Sequence, residues 1–272
     1  MNISYNSTSP QLTIAASHYL NSAPLIWSFL RGRQGEHVKL IDAVPARCAQ
    51  LLRDGGAGVA LIPVIEYHRI PNISLIPDVC VGSKTEVRSV VLVSKKTHIE
   101  NVGRVAIDES SRTSAALVKI IFREFLQREP TWTTHTPDLA EMLEQNDAAL
   151  IIGDPAMTFS REGLQIWDMA ALWRRYTDLG FVFAMWVVRE EAKEPARQVD
   201  FVRARDEGVE HIDEIVDYYL PRIPLSREEL TDYLTNNIAY ELDDAMRKGL
   251  ELYFELAAKH RLIEEVREPI FV

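Results

Sequence analysis

Short apolar runs rich in Val, Ile and Leu alternate with segments of helical periodicity along residues 1–190. Such runs are typical of strands buried on both faces, and their alternation with helices indicates an α/β protein with mostly parallel strands. We expect strands at 12–17, 38–43, 58–63, 89–94, 102–108, 148–153 and 181–188, and helices near 24–31, 45–53, 113–127 and 137–145.

After Arg189 the strand pattern stops and only helical segments follow, the last of them amphipathic over 237–265. This order predicts two α/β lobes in a chain that crosses between them twice. The first lobe would contain 1–96 together with 181–272, and the second lobe 97–180. Two crossings make a hinge with a ligand cleft between the lobes, and ligands of α/β sheets bind at the carboxyl ends of strands. Residues that follow strand ends are therefore the candidates for a site.

The chain has 272 residues and a formal net charge of −10. The excess acid lies in residues 190–272, which hold 21 acids and 11 bases, whereas residues 1–189 hold 19 of each. This balance argues against nucleic acid as a partner, but the neutral first part can bind a small anion. Because no apolar stretch is long enough to cross a bilayer and the N-terminus lacks signal-peptide features, we expect a cytoplasmic protein with no membrane insertion.

Several common chemical motifs are absent from the sequence. It contains no GxGxxG, GxxxxGK[ST], HExxH or GxSxG, so it gives no support to nucleotide cradling, zinc proteolysis or a hydrolase elbow. Cys48 and Cys80 lack metal-ligand or CxxC spacing, and the seven histidines show no i, i+4 pairing. We therefore expect no metal site, and two buried structural thiols in a reducing compartment.

A polar turn follows the first predicted strand. Asn21 and Ser22 precede Pro24, which is placed to open a helix. Their side chains can cap this helix, and they can also donate to an anion at its positive end. A plain N-cap explains these residue types equally well, so both interpretations remain open.

A second polar cluster follows the predicted strand 102–108. The next helix begins with four hydroxyls and one guanidinium, those of Ser110, Ser111, Arg112, Thr113 and Ser114. One cap needs one hydroxyl, so the surplus favours a nest of N–H and O–H donors for carboxylate or phosphate. The alternative is an over-polar loop, in which Arg112 could pair with Asp108 or Glu109.

Two weaker candidates lie at other strand ends. Ser89 stands in an apolar run, where its hydroxyl must find a hydrogen-bond partner or cost about 1–3 kcal/mol. A backbone carbonyl and a ligand are both possible partners. Gly153 and Asp154 lie at the end of the predicted strand 148–153. Glycine permits close backbone approach there, and the acid can cap the next turn, which Pro155 can start.

Six blocks of the sequence together resemble one enzyme family. They are YLNSAPL at 19–25, VALIPVIEY at 59–67, VRSVVLVSK at 87–95, DESSRTSAALVKI at 108–120, ALIIGDPAM at 149–157 and LGFVFAMWVVR at 179–189. In their order and spread along the chain, these blocks resemble the MqnA-type chorismate dehydratases of the futalosine route to menaquinone. Six blocks are far more specific than any one of them.

The resemblance implies a two-lobed fold of the type II periplasmic-binding-protein kind, used as a cytoplasmic hydro-lyase without a cofactor. The implied reaction is the loss of water from chorismate to give 3-[(1-carboxyvinyl)oxy]benzoate. Asn21 and Ser89 match the functional positions of the family and are expected to be catalytic. A small residue is expected before YLN, whereas this chain has His18, so no role is carried over to that position.

Chorismate carries two carboxylates, for which hydroxyls, an amide and helix N-termini are suitable partners. The residues expected to bind it are Ser22, Ser111, Arg112, Thr113, Ser114, Gly153 and Asp154. Loss of water creates an aromatic ring and is strongly downhill, so the protein has mainly to bind and orient the substrate. We expect the enolpyruvyl carboxylate of the substrate, and not His18, Asp108, Glu109 or Asp154, to remove the ring proton.

Two other functions fit the same fold. One is a non-catalytic module that binds or senses a small anion, since a fold does not determine a function. The other is the dihydroxynaphthoate synthase of the same pathway, for which we expect a different Pro- and Asn-containing turn near the N-terminus. The YLNSAPL turn therefore favours the dehydratase.

Overall fold

The computed structural model describes residues 11–272, which form two five-stranded sheets. The first sheet has the strand order β2-β1-β3-β10-β4, and the second has the order β7-β6-β8-β5-β9. The strands are β1 Leu12–Ala16, β2 Val38–Asp42, β3 Val59–Pro63, β4 Ile73–Ser83, β5 Val90–Ser94, β6 Arg104–Asp108, β7 Thr131–His135, β8 Ala148–Ile152, β9 Gln165–Asp168 and β10 Phe181–Arg189.

Helices surround both sheets. The α-helices are α1 Ala23–Leu30, α2 Pro45–Arg53, α3 Arg112–Ile120, α4 Leu139–Gln145, α5 Pro155–Thr158, α6 Met169–Thr177, α7 Lys193–Ala196, α8 Phe201–Glu210, α9 Ile212–Tyr219, α10 Arg227–Asp232 and α11 Asp244–Lys259. Short 3-10 turns include Leu20–Ser22 and Val64–His68, and single π-helical turns cover Ile121–Phe125 and Tyr233–Asn237.

Each sheet has four strands in one direction and one reversed strand. In the first sheet β10 runs antiparallel to β3 and β4, and in the second sheet β5 runs antiparallel to β8 and β9. Strands β3 and β5 are buried along their whole length, as expected for strands covered on both faces. The prediction of an α/β protein with mostly parallel strands is therefore confirmed.

The structure corrects the expected place of one strand. The sequence pattern assigned 89–94 to the first lobe, with a crossing after residue 95, but β5 pairs only with strands of the second sheet. The chain therefore crosses between Ser83 and Val90. The Asp168 carboxylate holds this crossing because it accepts hydrogen bonds from the backbone N–H groups of Val87 and Arg88. An apolar run identifies a buried strand but not the sheet to which it belongs.

Three strands are missing from the sequence-based set, each for a physical reason. The apolar sequence of β4 is interrupted by the polar Asp78. This residue has a φ of 59° and lies near an irregularity in the pairing of β4 with β10. β7 and β9 are the edge strands of the second sheet, and their partly exposed, polar sequences lack long apolar runs. The final helix is also shorter than 237–265, because Ala239 instead bridges to Gly82 of β4.

The two faces of the second sheet pack against different partners. Leu92, Val105 and Leu150 belong to one continuous apolar cluster with the first sheet, whereas Val91 and Ile151 belong to a separate cluster. Alternate residues of a strand point to opposite faces, which accounts for this division. One face of the second lobe is thus packed on the first lobe, so the core runs across the junction.

Close packing of α8 on α1 positions the turn that follows β1. Gly208 of α8 lies so near α1 that a Cβ atom there would be 1.8 Å from the Pro24 carbonyl oxygen. Glycine is costly inside a helix, by about 1 kcal/mol relative to alanine. It is needed here because the backbone of α1 occupies the space of a side chain.

We expect Gly208→Ala to lower the free energy of unfolding by about 1–3 kcal/mol, because the overpacking outweighs the gain in helix propensity. Urea denaturation followed by circular dichroism measures this change. The control is Gly103→Ala, whose Cβ would meet only the Asp147 carboxylate at 3.4 Å. A Gly208→Ala protein as stable as the Gly103→Ala protein would contradict the packing argument.

Candidate functional site

A cleft lies between the two sheets, beyond the carboxyl ends of β1, β3, β6 and β8. Its empty volume, which includes the open solvent at its mouth, is about 560 Å³. Both lobes line it. The lining residues are Ser17, Tyr19, Asn21, Ser22, Pro45, Leu61, Pro63, Val81, Phe183 and Ala184 from the first sheet region, and Val90, Ser110, Ser111, Arg112, Thr113, Ser114, Ile152 and Gly153 from the second.

The turn after β1 presents Asn21 to this cleft. Asn21 lies in the 3-10 turn Leu20–Ser22 and is half-buried, and its amide makes no hydrogen bond to any residue within 11–272. Ser22 also lines the cleft, but its hydroxyl donates to the Ser17 carbonyl oxygen at 2.7 Å. Asn21 is therefore the member of this turn whose donors and acceptor are available to a ligand.

The second lobe contributes the N-terminal end of α3. Ser111 is the N-cap residue, yet its buried hydroxyl has no partner among the described residues. Thr113 Oγ1 accepts a hydrogen bond from the Ile65 N–H at 3.4 Å, and this bond links the second lobe to the first. Ser114 lines the cleft beside them. The expected cluster of hydroxyls at a helix N-terminus is thus brought together at the cleft.

Arg112 has a partner that the sequence did not indicate. Its Nη1 donates to Glu66 Oε2 at 2.7 Å, across the junction between the lobes. Asp108 instead accepts from the N–H and the hydroxyl of Ser110, and burial raises its pKa. The alternative in which Arg112 pairs with Asp108 or Glu109 is therefore excluded.

Gly153 and Asp154 bring the end of β8 against the turn after β1. Gly153 has a φ of +71°, which requires glycine, and a Cβ atom there would lie in tight contact, 3.2 Å from the Tyr19 ring. Asp154 does not line the cleft, and its carboxylate accepts a hydrogen bond from the Leu20 N–H at 3.1 Å. Burial raises the pKa of Asp154 to about 6.

Ser89 lies next to the cleft but does not line it. It is fully buried, and the Tyr233 hydroxyl donates to its Oγ at 2.6 Å. Its carbonyl oxygen accepts from the Gly153 N–H at 2.8 Å, and the following residue, Val90, does line the cleft. The structure therefore brings Asn21 and the α3 cluster to one gap and places Ser89 behind it.

The cleft wall holds few titratable groups. His18, Asp108, Glu109 and Asp154 are all absent from the lining residues. Tyr19 and Arg112 do line it, but burial, followed by the nearby Asp108 and Asp154 carboxylates, raises the pKa of the Tyr19 hydroxyl. An arginine cannot be deprotonated in a protein. The described wall therefore offers hydrogen-bond donors and a positive charge, but no ready base.

Sequence reasoning missed two residues of the site, Tyr19 and Glu66. Tyr19 stands in the YLN turn and packs on Gly153, which only the folded chain reveals. Glu66 could have been found, because it is a single acid at the end of the apolar run VALIPVIEY. A charge in such a run is usually buried with a partner, since an unpaired buried carboxylate is very costly.

Two other sequence-based expectations concern the thiols and the membrane. Cys48 and Cys80 are both buried and free, as expected, and burial raises the pKa of each thiol to about 12. Within 11–272, no helix combines the length and the apolar character needed to span a membrane.

We expect Asp154 to make stability depend on pH between about 4 and 6. Its pKa is raised from 3.8 to about 6, so its contribution to stability is full at low pH and is lost as pH rises through 6. Asp154→Asn keeps an oxygen for the Leu20 N–H and should be more stable than wild type at pH 7 by about 1–3 kcal/mol. Urea unfolding at pH 4.5 and pH 7 tests this, and an advantage of the same size at both values would contradict it.

Comparisons with known proteins agree with the fold and show the family to which the chain belongs. The model of the family described as "Menaquinone biosynthesis" matches residues 12–259. A chorismate dehydratase from Thermus thermophilus is 32% identical, over 87% of this chain and 92% of that protein. Among solved structures, a protein from Archaeoglobus fulgidus superposes with a TM-score of 0.75 at 19% identity, covering 94% of this chain and all of that chain.

The periplasmic aliphatic sulphonate binding protein SsuA from Escherichia coli also superposes, with a TM-score of 0.63 at 14% identity over 96% of this chain and 93% of that chain. At such low identity this likeness concerns the fold alone, and it confirms the two-lobed periplasmic-binding-protein fold. The family match covers far more than half of the chain. This chain therefore belongs to the menaquinone biosynthesis family.

Proposed function

We propose that this protein is a cytoplasmic chorismate dehydratase, a hydro-lyase that converts chorismate to 3-[(1-carboxyvinyl)oxy]benzoate in menaquinone biosynthesis. The observation that carries this proposal is the 32% identity to a chorismate dehydratase over most of both chains. This identity favours the dehydratase over the two rival functions, an anion-sensing module and a dihydroxynaphthoate synthase.

The chemistry of the cleft supports this substrate. Chorismate carries two carboxylates, and the cleft presents the Asn21 amide, the unpartnered Ser111 hydroxyl and the Arg112 guanidinium. Because the first group belongs to one lobe and the other two belong to the other lobe, a bound dicarboxylate would bridge them. Such donors interact with anions more strongly where they are shielded from water than in bulk water.

The reaction removes a hydroxyl from the ring and a hydrogen from the neighbouring carbon. The electron pair of the broken C–H bond completes the aromatic ring, while the hydroxyl departs and leaves as water with the proton taken from that C–H bond. The enolpyruvyl carboxylate of the substrate removes the carbon-bound proton, because it is tethered near that carbon at high effective concentration. The lack of a ready base among the described lining residues supports this route.

Asn21 would orient the carboxylate or assist the departing hydroxyl, since an amide can donate and accept without titrating. For Ser89 the burial of its hydroxyl against Tyr233 favours a positioning role. Its carbonyl oxygen holds the Gly153 N–H, so it supports the loop that faces Tyr19.

Incubation of the purified protein with chorismate tests the function. We expect a benzoate-type chromophore to appear, with a product mass lower than that of chorismate by one water. Binding of chorismate without any turnover would contradict the proposal and favour the sensing module.

Asn21→Ala should lower kcat by at least about a hundredfold, the scale for the loss of one well-placed polar stabiliser. The fold should be intact, because the amide has no partner within 11–272 to lose. Asn101→Ala is the matched control, since Asn101 is exposed and does not line the cleft. Steady-state kinetics measure both variants, and a kcat of Asn21→Ala within threefold of the control would exclude the assigned role.

A chorismate analogue that lacks the side-chain carboxylate should bind and yet fail to lose water. The reason is that the proton acceptor is then missing, while the ring carboxylate can still be bound. Calorimetry measures the binding, and absorbance measures the turnover. Asp154→Asn and His18→Ala should retain substantial activity with chorismate. Normal turnover of the analogue, or a folded but inactive variant of either residue, would assign the base to the protein.

A further inference from the structure

Glu66 is a fully buried acid at the junction of the two lobes. Its Oε1 accepts from Arg69 Nη1 at 2.8 Å, and its Oε2 accepts from Arg53 Nη2 at 3.0 Å and from Arg112 Nη1 at 2.7 Å. One carboxylate is thus shared by three guanidiniums. Two of these positive charges have no countercharge within the cluster.

Of the three arginines, Arg112 alone lines the cleft. Its side chain is 30% exposed, and Glu66 is its one hydrogen-bond partner within the described residues. A guanidinium has five N–H donors in a rigid fork, so most of those of Arg112 are free. Arg112 is therefore fixed on one side by Glu66 and open to the cleft on the other.

The hydroxyl of Ser111, beside Arg112, is a second observation that points to a ligand at this position. The Ser111 hydroxyl lines the cleft next to Arg112, and it is buried with no hydrogen-bond partner in residues 11–272. A buried hydroxyl without a partner is costly, and a ligand oxygen would remove that cost. A carboxylate can accept from the hydroxyl and from the guanidinium together.

Building on the proposed function, we propose that Arg112 binds one of the two substrate carboxylates and that Glu66 is the positioning residue that holds its guanidinium at the cleft. The fixed guanidinium of Arg112 at the cleft makes the site selective for dicarboxylates over monocarboxylates. Arg53 and Arg69 contribute charge, but Glu66 determines where the fork of Arg112 points.

Without the Glu66 carboxylate, the guanidinium of Arg112 would no longer be held in one orientation at the cleft. Three guanidiniums around a neutral group repel one another, and the long side chain of Arg112 regains its rotamer freedom. A flexible cation binds a carboxylate less well than a fixed fork does, because ordering the side chain opposes binding. The substitution should therefore weaken dicarboxylate binding even though it adds net positive charge.

The test compares the Kd values of two ligands by calorimetry: 3-[(1-carboxyvinyl)oxy]benzoate and 3-(vinyloxy)benzoate, which lacks the second carboxylate. We expect wild type to prefer the dicarboxylate, and Arg112→Gln and Glu66→Gln to lower this preference by about ten- to a hundredfold. With chorismate, both variants should raise KM more than they lower kcat. Glu66→Asp, which keeps the charge, should recover part of the loss.

Arg69→Gln is the matched control, because it removes a guanidinium from the same carboxylate without touching the cleft wall. We expect it to keep the dicarboxylate preference within about threefold. An unchanged preference in folded Arg112→Gln overturns the inference, and so does an Arg69→Gln loss as large as that of Glu66→Gln. If Glu66→Gln does not fold, Arg112→Gln decides alone. Absence of chorismate turnover by wild type would instead overturn the proposed function.

Discussion

The Glu66 carboxylate is fully buried where the two lobes meet, and the geometry of the cleft depends on it. A buried charge is tolerated only with close partners, because its loss of hydration is very costly. Arg53 and Arg69 from the first lobe and Arg112 from the second all satisfy this one group. The start of α3 is thereby tied to the first lobe, and the polar residues that follow it are held at the cleft.

The topology explains why these groups meet at all. In each sheet the four strands of common direction end at the same edge, and both edges face one gap. The segments after β1, β6 and β8 therefore converge, although they lie far apart in the sequence. The reversed strands β5 and β10 are each the first strand after a crossing between the lobes. The two sheets thus support the short segments whose polar side chains line the cleft.

The cleft is notable for polar groups without partners. The buried Ser111 hydroxyl has none within residues 11–272, although most buried polar groups in proteins are satisfied, and the partly buried Asn21 amide also makes no hydrogen bond there. A ligand with oxygens on two sides would supply both partners at once. This property suits a substrate that needs orientation more than acid-base chemistry, since its elimination is driven by the formation of an aromatic ring.

The sequence by itself determined the α/β class, most of the buried strands and the polar segments that follow them, because hydrophobic periodicity and helix-start residues act locally. Only the tertiary structure decided the sheet to which β5 belongs, the pairing of Arg112 with Glu66 and the burial of Ser89 behind the cleft. Each of these depends on contacts between segments that are distant in the chain, and local sequence patterns do not show which distant residue will be the partner.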